Sequence, residues 1–339
     1  MDQVLSADAA MARAIELSRL GLGKTYPNPI VGAVITSANG EFISEGFHQG
    51  KEHAEVIAIN AAQEIPAGSI IYITLEPCNH HGKTPPCVDA ILATSISKVV
   101  YAVNDPNPVA AGGSERLRQA GVEVVTNFAE VQARQENRAW LTKIELGRPR
   151  ITWKIAATMD GKVTASDGSS KWITGELARA DVAVMRSQAD AIVTSTATVI
   201  ADNPGLTSKG LGKNPVRIIM GRQELSSELQ ILGSDAETLL LKTHELNELI
   251  KVSNERGFNQ LLIESGPTFG TALLKADLID EIVLFQAPTF LGTGTEVIGD
   301  LGISNISQRL DFEISDVEII GADLKITLIK SAKPAEGER

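Results

Sequence analysis

Four residues in the first third of the chain have the types and spacing of a catalytic metal site. His53-Ala54-Glu55 stands where a helix is predicted to begin, Glu76-Pro77-Cys78 follows an apolar strand, and Pro86-Cys87 opens another helix. One imidazole and two thiolates make three protein ligands and leave a fourth tetrahedral position for water, whereas structural zinc sites close all four. Bound zinc lowers the pKa of its water from about 15.7 to about 7, which makes hydroxide available at neutral pH. Cys87 falls in a helix's first turn, where the dipole and free N–H groups favour a thiolate, so both cysteines read as ready ligands. Glu55 lies two residues past His53, about 200° around an ideal helix. It should therefore stay off the metal and carry protons between the water and a leaving group, a task worth typically 10²–10⁴-fold.

A His-x-Glu followed by Pro-Cys is the signature of zinc nucleobase deaminases, which place two residues between their cysteines. Here eight intervene, Asn79-His80-His81-Gly82-Lys83-Thr84-Pro85-Pro86. Two imidazoles and an ammonium in one loop suit a phosphate monoester. The bland alternative is a closed site with His80 or His81 as the fourth ligand, which leaves Glu55 without a task.

The elements that must position these groups alternate. A helix is predicted from Ser6 to Leu20, with Ser6 as N-cap. Strands at 30–36 and 41–46 form a hairpin through Asn39-Gly40. Helices at 53–63, 85–94, 112–120 and 129–146 then interleave with strands at 69–75, 97–103 and 122–126, the rhythm of a helix-covered sheet. Gly147-Arg148-Pro149 interrupts that pattern, and a β-rich run restarts at Ile151. The second half shows strands near 190–195, 216–220, 238–242, 259–264, 280–286, 312–319 and 323–329, with helices near 174–187, 245–256 and 267–276. At 339 residues the chain exceeds what one hydrophobic core usually serves, so two α/β domains are expected.

Composition narrows the partners. The net charge of −11 argues against a nucleic-acid surface, which needs clustered Lys and Arg. No apolar run reaches the roughly 18 residues of a membrane span, and MDQVLSADAA lacks the pattern of a secretory signal. With two cysteines only, a cytoplasmic metalloenzyme is expected rather than a disulfide-stapled protein. Gly23-Lys24-Thr25 mimics the end of a phosphate-binding loop, but Ser18 stands at the first glycine position and a helix, not a strand, precedes it.

The run TLEPCNHHGKTPPC, with Tyr26-Pro27-Asn28-Pro29 and Asp105-Pro106-Asn107-Pro108, resembles the bifunctional deaminase–reductases of riboflavin biosynthesis. In the second half the ordered set Lys154, Met159-Asp160-Gly161-Lys162, Ser170-Lys171-Trp172-Ile173-Thr174, Arg186 and Thr198-Val199-Ile200-Ala201-Asp202-Asn203-Pro204 carries the same resemblance. It implies a cytidine-deaminase-like three-layer domain over 1–148 and a dihydrofolate-reductase-like domain over 149–331, while the polar residues 332–339 read as a frayed tail. In the first domain it implies one Zn2+ on His53, Cys78 and Cys87, with Glu55 as proton carrier. Asn28 would orient the pyrimidine, and His80 and Lys83 would approach the ribose phosphate. The implied substrate is 2,5-diamino-6-ribosylamino-4(3H)-pyrimidinone 5′-phosphate, which loses its 2-amino group. In the second domain NADPH would meet Ala156, Trp172, Thr198, Asp202 and a 266–272 loop of Gly266, Pro267, Thr268, Phe269, Gly270, Thr271 and Ala272. The substrate would meet Lys154, Ser170, Arg186, Leu206 and Glu264. Arg186 would fork onto phosphate, Glu264 would accept from hydroxyls, and the glycine loop would cradle the pyrophosphate. The ribosyl group of 5-amino-6-(5-phosphoribosylamino)uracil would become ribityl. The family's Arg after Leu206 is Lys209 here, and Arg222, where a serine is usual, would bind the cofactor's 2′-phosphate. The partners are small phosphorylated pyrimidines, and homo-oligomerisation is left open.

Overall fold

The computed structural model describes residues 4–81 and 85–331. It divides into two compact units, Met1–Arg148 and Pro149–Arg339. The tail predicted to fray, 332–339, lies outside the described residues.

The first unit runs α1 (Ala7–Ser18), β1 (Gly32–Thr36), β2 (Phe42–Phe47), α2 (Ala54–Ala61), β3 (Ser69–Leu75), α3 (Cys87–Leu92), β4 (Ile96–Val103), α4 (Gly113–Gln119), β5 (Glu123–Val125), α5 (Glu130–Glu136) and α6 (Arg138–Leu146). The Ser6 side chain caps α1 by accepting from the Ala9 N–H, as its residue type predicts. β1 and β2 form the hairpin, closed near Gly40, whose φ of +85° explains the glycine. The sheet order is β2-β1-β3-β4-β5, with β1 antiparallel to its neighbours and β3, β4 and β5 parallel. Ala10, Met11 and Ala14 of α1, with Ile35, Ile71, Ile73 and Val99 of the strands, are fully buried in one core. Because β3 and β4 are parallel, their carboxyl ends lie side by side, and the segments leaving them begin at Glu76 and Asn104.

The single helix expected over 129–146 is two helices. Asn137 separates them with φ −93° and ψ 13°, because its buried side chain is engaged elsewhere in the fold, as described below.

The second unit runs β6 (Arg150–Thr158), β7 (Lys162–Ala165), α7 (Glu176–Gln188), β8 (Ala191–Ser195), α8 (Thr196–Asp202), β9 (Val216–Met220), β10 (Thr238–Leu241), α9 (Leu246–Glu255), β11 (Gln260–Ile263), α10 (Pro267–Lys275), β12 (Glu281–Ala287), β13 (Gly294–Glu296), β14 (Phe312–Ile320) and β15 (Asp323–Lys330). Eight strands order as β10-β9-β8-β11-β6-β12-β15-β14, parallel as far as β12 and antiparallel beyond it. β7, α8 and β13 were not predicted as elements. Each is seven residues or shorter, too short for a periodic pattern to emerge. Trp153, Phe258 and Phe285 are among the largest fully buried side chains here. Among the described residues no helix is long and apolar enough to cross a membrane.

Candidate active sites

Three separate chain segments meet at the end of β3. Cys78 follows that strand, Cys87 begins α3, and His53 is the N-cap of α2. His53 Nδ1 lies 3.1 Å from Cys87 Sγ and 3.6 Å from Cys78 Sγ, and all three ligand atoms fall within 4.8 Å of one another. Tetrahedral zinc with ordinary bond lengths would separate a nitrogen and a sulfur ligand by about 3.5 Å, so the set fits that ion. His53 has extended backbone (φ −76°, ψ 152°) and stands outside the helix. The helical-wheel offset is therefore not what keeps Glu55 off the ligand set. Glu55 instead sits in the first turn of α2, 4% exposed, with its carboxyl group beside the Cys87 thiol.

Burial pushes the Glu55 carboxyl above its ordinary range, and Cys78 adds to this against the opposing pull of His53. A hydrogen bond joins the two thiols and lowers one while it raises the other. The Cys87 thiol donates to Cys78 and lowers it, with help from His53 against burial. That same hydrogen bond, together with burial and the nearby Glu55, raises Cys87. A cation held between the two sulfurs would favour the thiolate form of both.

Two residues absent from the sequence-based site belong to it. His48 is 4% exposed, its Nδ1 is 2.9 Å from the Glu52 carbonyl, and its ring stands edge-on to His53 at 5.4 Å. Burial, then the neighbouring His53, lowers its pKa. Its position at the end of a half-buried strand, just before the ligand histidine, was the available signal. Glu76 is buried and accepts from the Asp105 N–H at 3.2 Å and the Ser114 N–H at 2.9 Å, which ties the Asp105-Pro106-Asn107-Pro108 loop and the start of α4 to the end of β3. Asp105 is pushed up to about 6, by burial first and then by Glu76 and Cys78, against hydrogen bonding from Asn107 and the charge of His80. His80 is half-buried near this carboxyl group, and Lys83 lies outside the described residues. Asn28 lies on an exposed turn in which its N–H donates to the Thr25 carbonyl at 2.9 Å.

In the second unit the structure gathers Lys154, Arg186, Asp202 and Glu264 into one charged cluster. Burial lowers Lys154, and the pull of Glu264 and Asp202 does not restore it. The Arg186 fork does not stand open for a phosphate: Nε and Nη2 hold the two Glu264 oxygens at 2.6 and 2.8 Å, and Nη1 reaches the Thr207 carbonyl at 3.3 Å. Arg186 has a fixed carboxylate within reach on the neighbouring strand end, and a bidentate pair is the strongest arrangement open to it. Ser170 donates to Asp202 at 3.1 Å and Lys171 to the Asp202 carbonyl at 3.0 Å, which brings the 170–174 loop to the cluster. Trp172 is exposed, with the Arg179 guanidinium 4.6 Å over its ring. Leu206 is buried with φ +47°, whereas Lys209 and Arg222 are exposed.

The 266–272 segment opens the helix predicted near 267–276 and so is not the loop that the resemblance implied. Gly266 is the N-cap of α10, Pro267 its first residue, and Thr268, Phe269, Gly270, Thr271 and Ala272 are helical. The Gly266 N–H donates to Thr198 Oγ1 at 3.2 Å, and Ser195, Thr198 and Ser265 link their hydroxyls around it. Gly270 does not face an anion: a Cβ there would lie 2.0 Å from Trp153 Cζ2, so its role is close packing. Ala156 is half-buried on β6, opposite Phe285 of β12.

A three-ligand metal cage with a buried carboxylate on one α/β unit, and a hydroxyl-lined helix N-terminus beside a Lys–Arg–Glu–Asp cluster on the other, define a two-domain deaminase–reductase. Sequence comparisons agree: residues 6–103 match the cytidine and deoxycytidylate deaminase zinc-binding region, and residues 149–326 match the RibD C-terminal domain. The chain is 42% identical to riboflavin biosynthesis protein RibD of Mycobacterium tuberculosis over 97% of its length and 99% of the relative's. It is 35% identical to the Escherichia coli RibD, covering 94% and 98%. The crystal structure of a diaminohydroxyphosphoribosylaminopyrimidine deaminase/5-amino-6-(5-phosphoribosylamino)uracil reductase from Thermotoga maritima superposes with a TM-score of 0.88 at 33% identity, over 95% of this chain and 98% of that one. The chain belongs to the RibD family, the bifunctional riboflavin biosynthesis enzymes with a deaminase and a reductase domain.

Proposed function

We propose that the first unit deaminates 2,5-diamino-6-ribosylamino-4(3H)-pyrimidinone 5′-phosphate at C2, and that the second reduces the ribosyl group of 5-amino-6-(5-phosphoribosylamino)uracil to ribityl. The observation that carries the reading is the His53–Cys78–Cys87 triad with Glu55 buried against it. Zinc held by these three ligands would supply a Lewis acid that makes water nucleophilic at neutral pH. Glu55 takes a proton from the attacking water and returns it to the 2-amino nitrogen, which leaves as ammonia while C2 gains oxygen. Asn28 orients the ring, and His80 and Lys83 receive the phosphate.

In the reductase, NADPH would supply hydride to C1′ of the opened ribosyl group. Burial lowers the pKa of Lys154, and of Lys154 and Asp202 one gives a proton to the opened ring oxygen while the other positions the ribosyl group. Ser170, Leu206 and the Arg186–Glu264 pair line the substrate side. Thr198, Trp172, Ala156 and the start of α10 line the cofactor side, where backbone N–H groups and the helix dipole suit pyrophosphate. Both substrates are small, and a cytoplasmic setting keeps the cysteines reduced.

The test is a coupled assay on the purified chain with the diaminopyrimidine phosphate and NADPH. Ammonia release followed by NADPH oxidation is expected. Glu55→Gln should retain zinc and lose ammonia release by at least about 10²-fold, while still oxidising NADPH when given the deaminated compound. Ammonia release that survives Glu55→Gln refutes the deaminase reading; no NADPH oxidation with the deaminated compound refutes the reductase reading.

A further inference from the structure

The residue that splits the long helix of the first unit has a task at the deaminase site. Asn137 is 6% exposed, and its carboxamide meets the backbone of Ile30 from both sides: the Ile30 N–H donates to Asn137 Oδ1 at 3.2 Å, and Asn137 Nδ2 donates to the Ile30 carbonyl at 3.0 Å. The amide thus pairs with one peptide unit as a neighbouring strand would, at a residue that precedes β1 and has no strand partner of its own. Ile30 is 7% exposed, so without Asn137 its N–H and C=O would be left buried and unpaired.

Its place in the chain gives the pairing its consequence. Asn28 lies two residues upstream, and on its other side the turn is closed by Thr25, whose hydroxyl donates to the Asn28 carbonyl at 3.2 Å. One residue downstream of Ile30, the Val31 carbonyl accepts from the His48 N–H at 2.9 Å, and His48 stands against His53. The Ile30 peptide thus lies between the turn that bears Asn28 and the residue that holds the His48 backbone. The anchor itself is rigid: Ala133, Trp140 and Leu141, on either side of Asn137, are buried in the core of the unit.

We infer that Asn137 is a positioning residue of the deaminase, which fixes the Ile30 peptide and through it sets Asn28 and His48 against the substrate. The inference rests on the deaminase reading given above.

The discriminating variant is Asn137→Asp, nearly identical in volume. A carboxylate can accept from the Ile30 N–H but opposes the Ile30 carbonyl with a second oxygen, so the pairing breaks while the packing stays. Asn137→Asp and Asn137→Ala should both raise KM for the diaminopyrimidine phosphate tenfold or more with a smaller change in kcat. Zinc content and NADPH oxidation with the deaminated compound should stay within twofold of the parent. A purely space-filling role predicts the opposite: Asn137→Asp like the parent, or kcat scaled by the folded fraction with KM unchanged, and either result overturns the inference. Amide hydrogen exchange on the unmutated protein gives an independent arm. The Ile30 N–H should be protected as strongly as the β1 amides, and exchange at the rate of an unprotected amide refutes the clamp without involving activity. Absence of ammonia release from the parent chain would instead refute the deaminase reading, with the exchange measurement still deciding the clamp.

Discussion

Replacing Glu264 by Gln removes one charge from a pair that the fold has already taken out of water. The side chains of Arg186 and Glu264 are 16% and 9% exposed. Burial alone would raise the Glu264 carboxyl, but the charge and hydrogen bonds of Arg186, with Lys154, hold it below its ordinary range. At a charge separation of about 4 Å and an effective dielectric near 20, the attraction is about 4 kcal/mol. Gln keeps one acceptor but turns an N–H₂ toward an Arg186 donor, so Arg186 keeps one of its two Glu264 bonds and its contact with Thr207. Leaving a buried cation in this state costs about 3–5 kcal/mol, and the surviving bond places the expectation near 3. For a unit of this size about 1 kcal/mol moves Tm by roughly 2–4 °C, so the reductase transition should fall by roughly 6–12 °C. Calorimetry measures this directly. The double variant Arg186→Met/Glu264→Gln removes both charges and should recover most of the stability while leaving NADPH oxidation lost, because the pair also lines the proposed substrate site. Glu264→Gln melting within about 1 °C of the parent would show a solvent-screened pair and refute the energetic argument. Recovery of NADPH oxidation in the double variant would refute the functional one.

Gly270→Ala should destabilise the reductase unit by about 1–3 kcal/mol or more, since the new methyl would meet Trp153, which is 1% exposed and cannot retreat; unchanged melting followed by Trp fluorescence would disprove the packing role. Asp160 is held down to about 2 by the Thr158 hydroxyl and by the Gly292 and Leu291 N–H groups. Its folded pKa lies below the unfolded value near 3.9, so its contribution is complete above about pH 4 and is lost as pH falls through about 2. An NMR titration should place its midpoint well below 3, and exchange at Gly292 should quicken on the same curve. Chelating the metal should lower the melting temperature of the deaminase unit and leave that of the reductase unit in place, because the ligands join three separate segments; a chelator-insensitive melt would show a metal-independent fold there.

Residue type and spacing alone picked out His53, Cys78, Cys87 and Glu55 as a candidate metal site, because a metal restricts its donors to a few side chains and the turns bearing them carry Pro and short apolar runs. The strands were legible for a related reason. β3 and β9 appear at the predicted residues, since a strand buried on both faces is largely apolar, the buried Arg217 of β9 being satisfied by Thr238 and by the Gly205, Gly233 and Ala236 carbonyls. What tertiary structure decided concerns groups whose meaning depends on a partner distant in sequence. Asn137 looked like a tolerable residue within one helix until Ile30, 107 positions away, claimed its side chain. Arg186 looked free to bind phosphate until Glu264, 78 positions away, took both arms of its fork. Gly270 looked like part of an anion-binding loop until Trp153 filled the space a side chain would need. Cys78 and Cys87, nine positions apart, come together with His53 only because β3, α3 and the start of α2 meet at one place. A sequence records which groups are present, whereas their charge state and availability follow from how near the other groups come, and only the fold sets those distances.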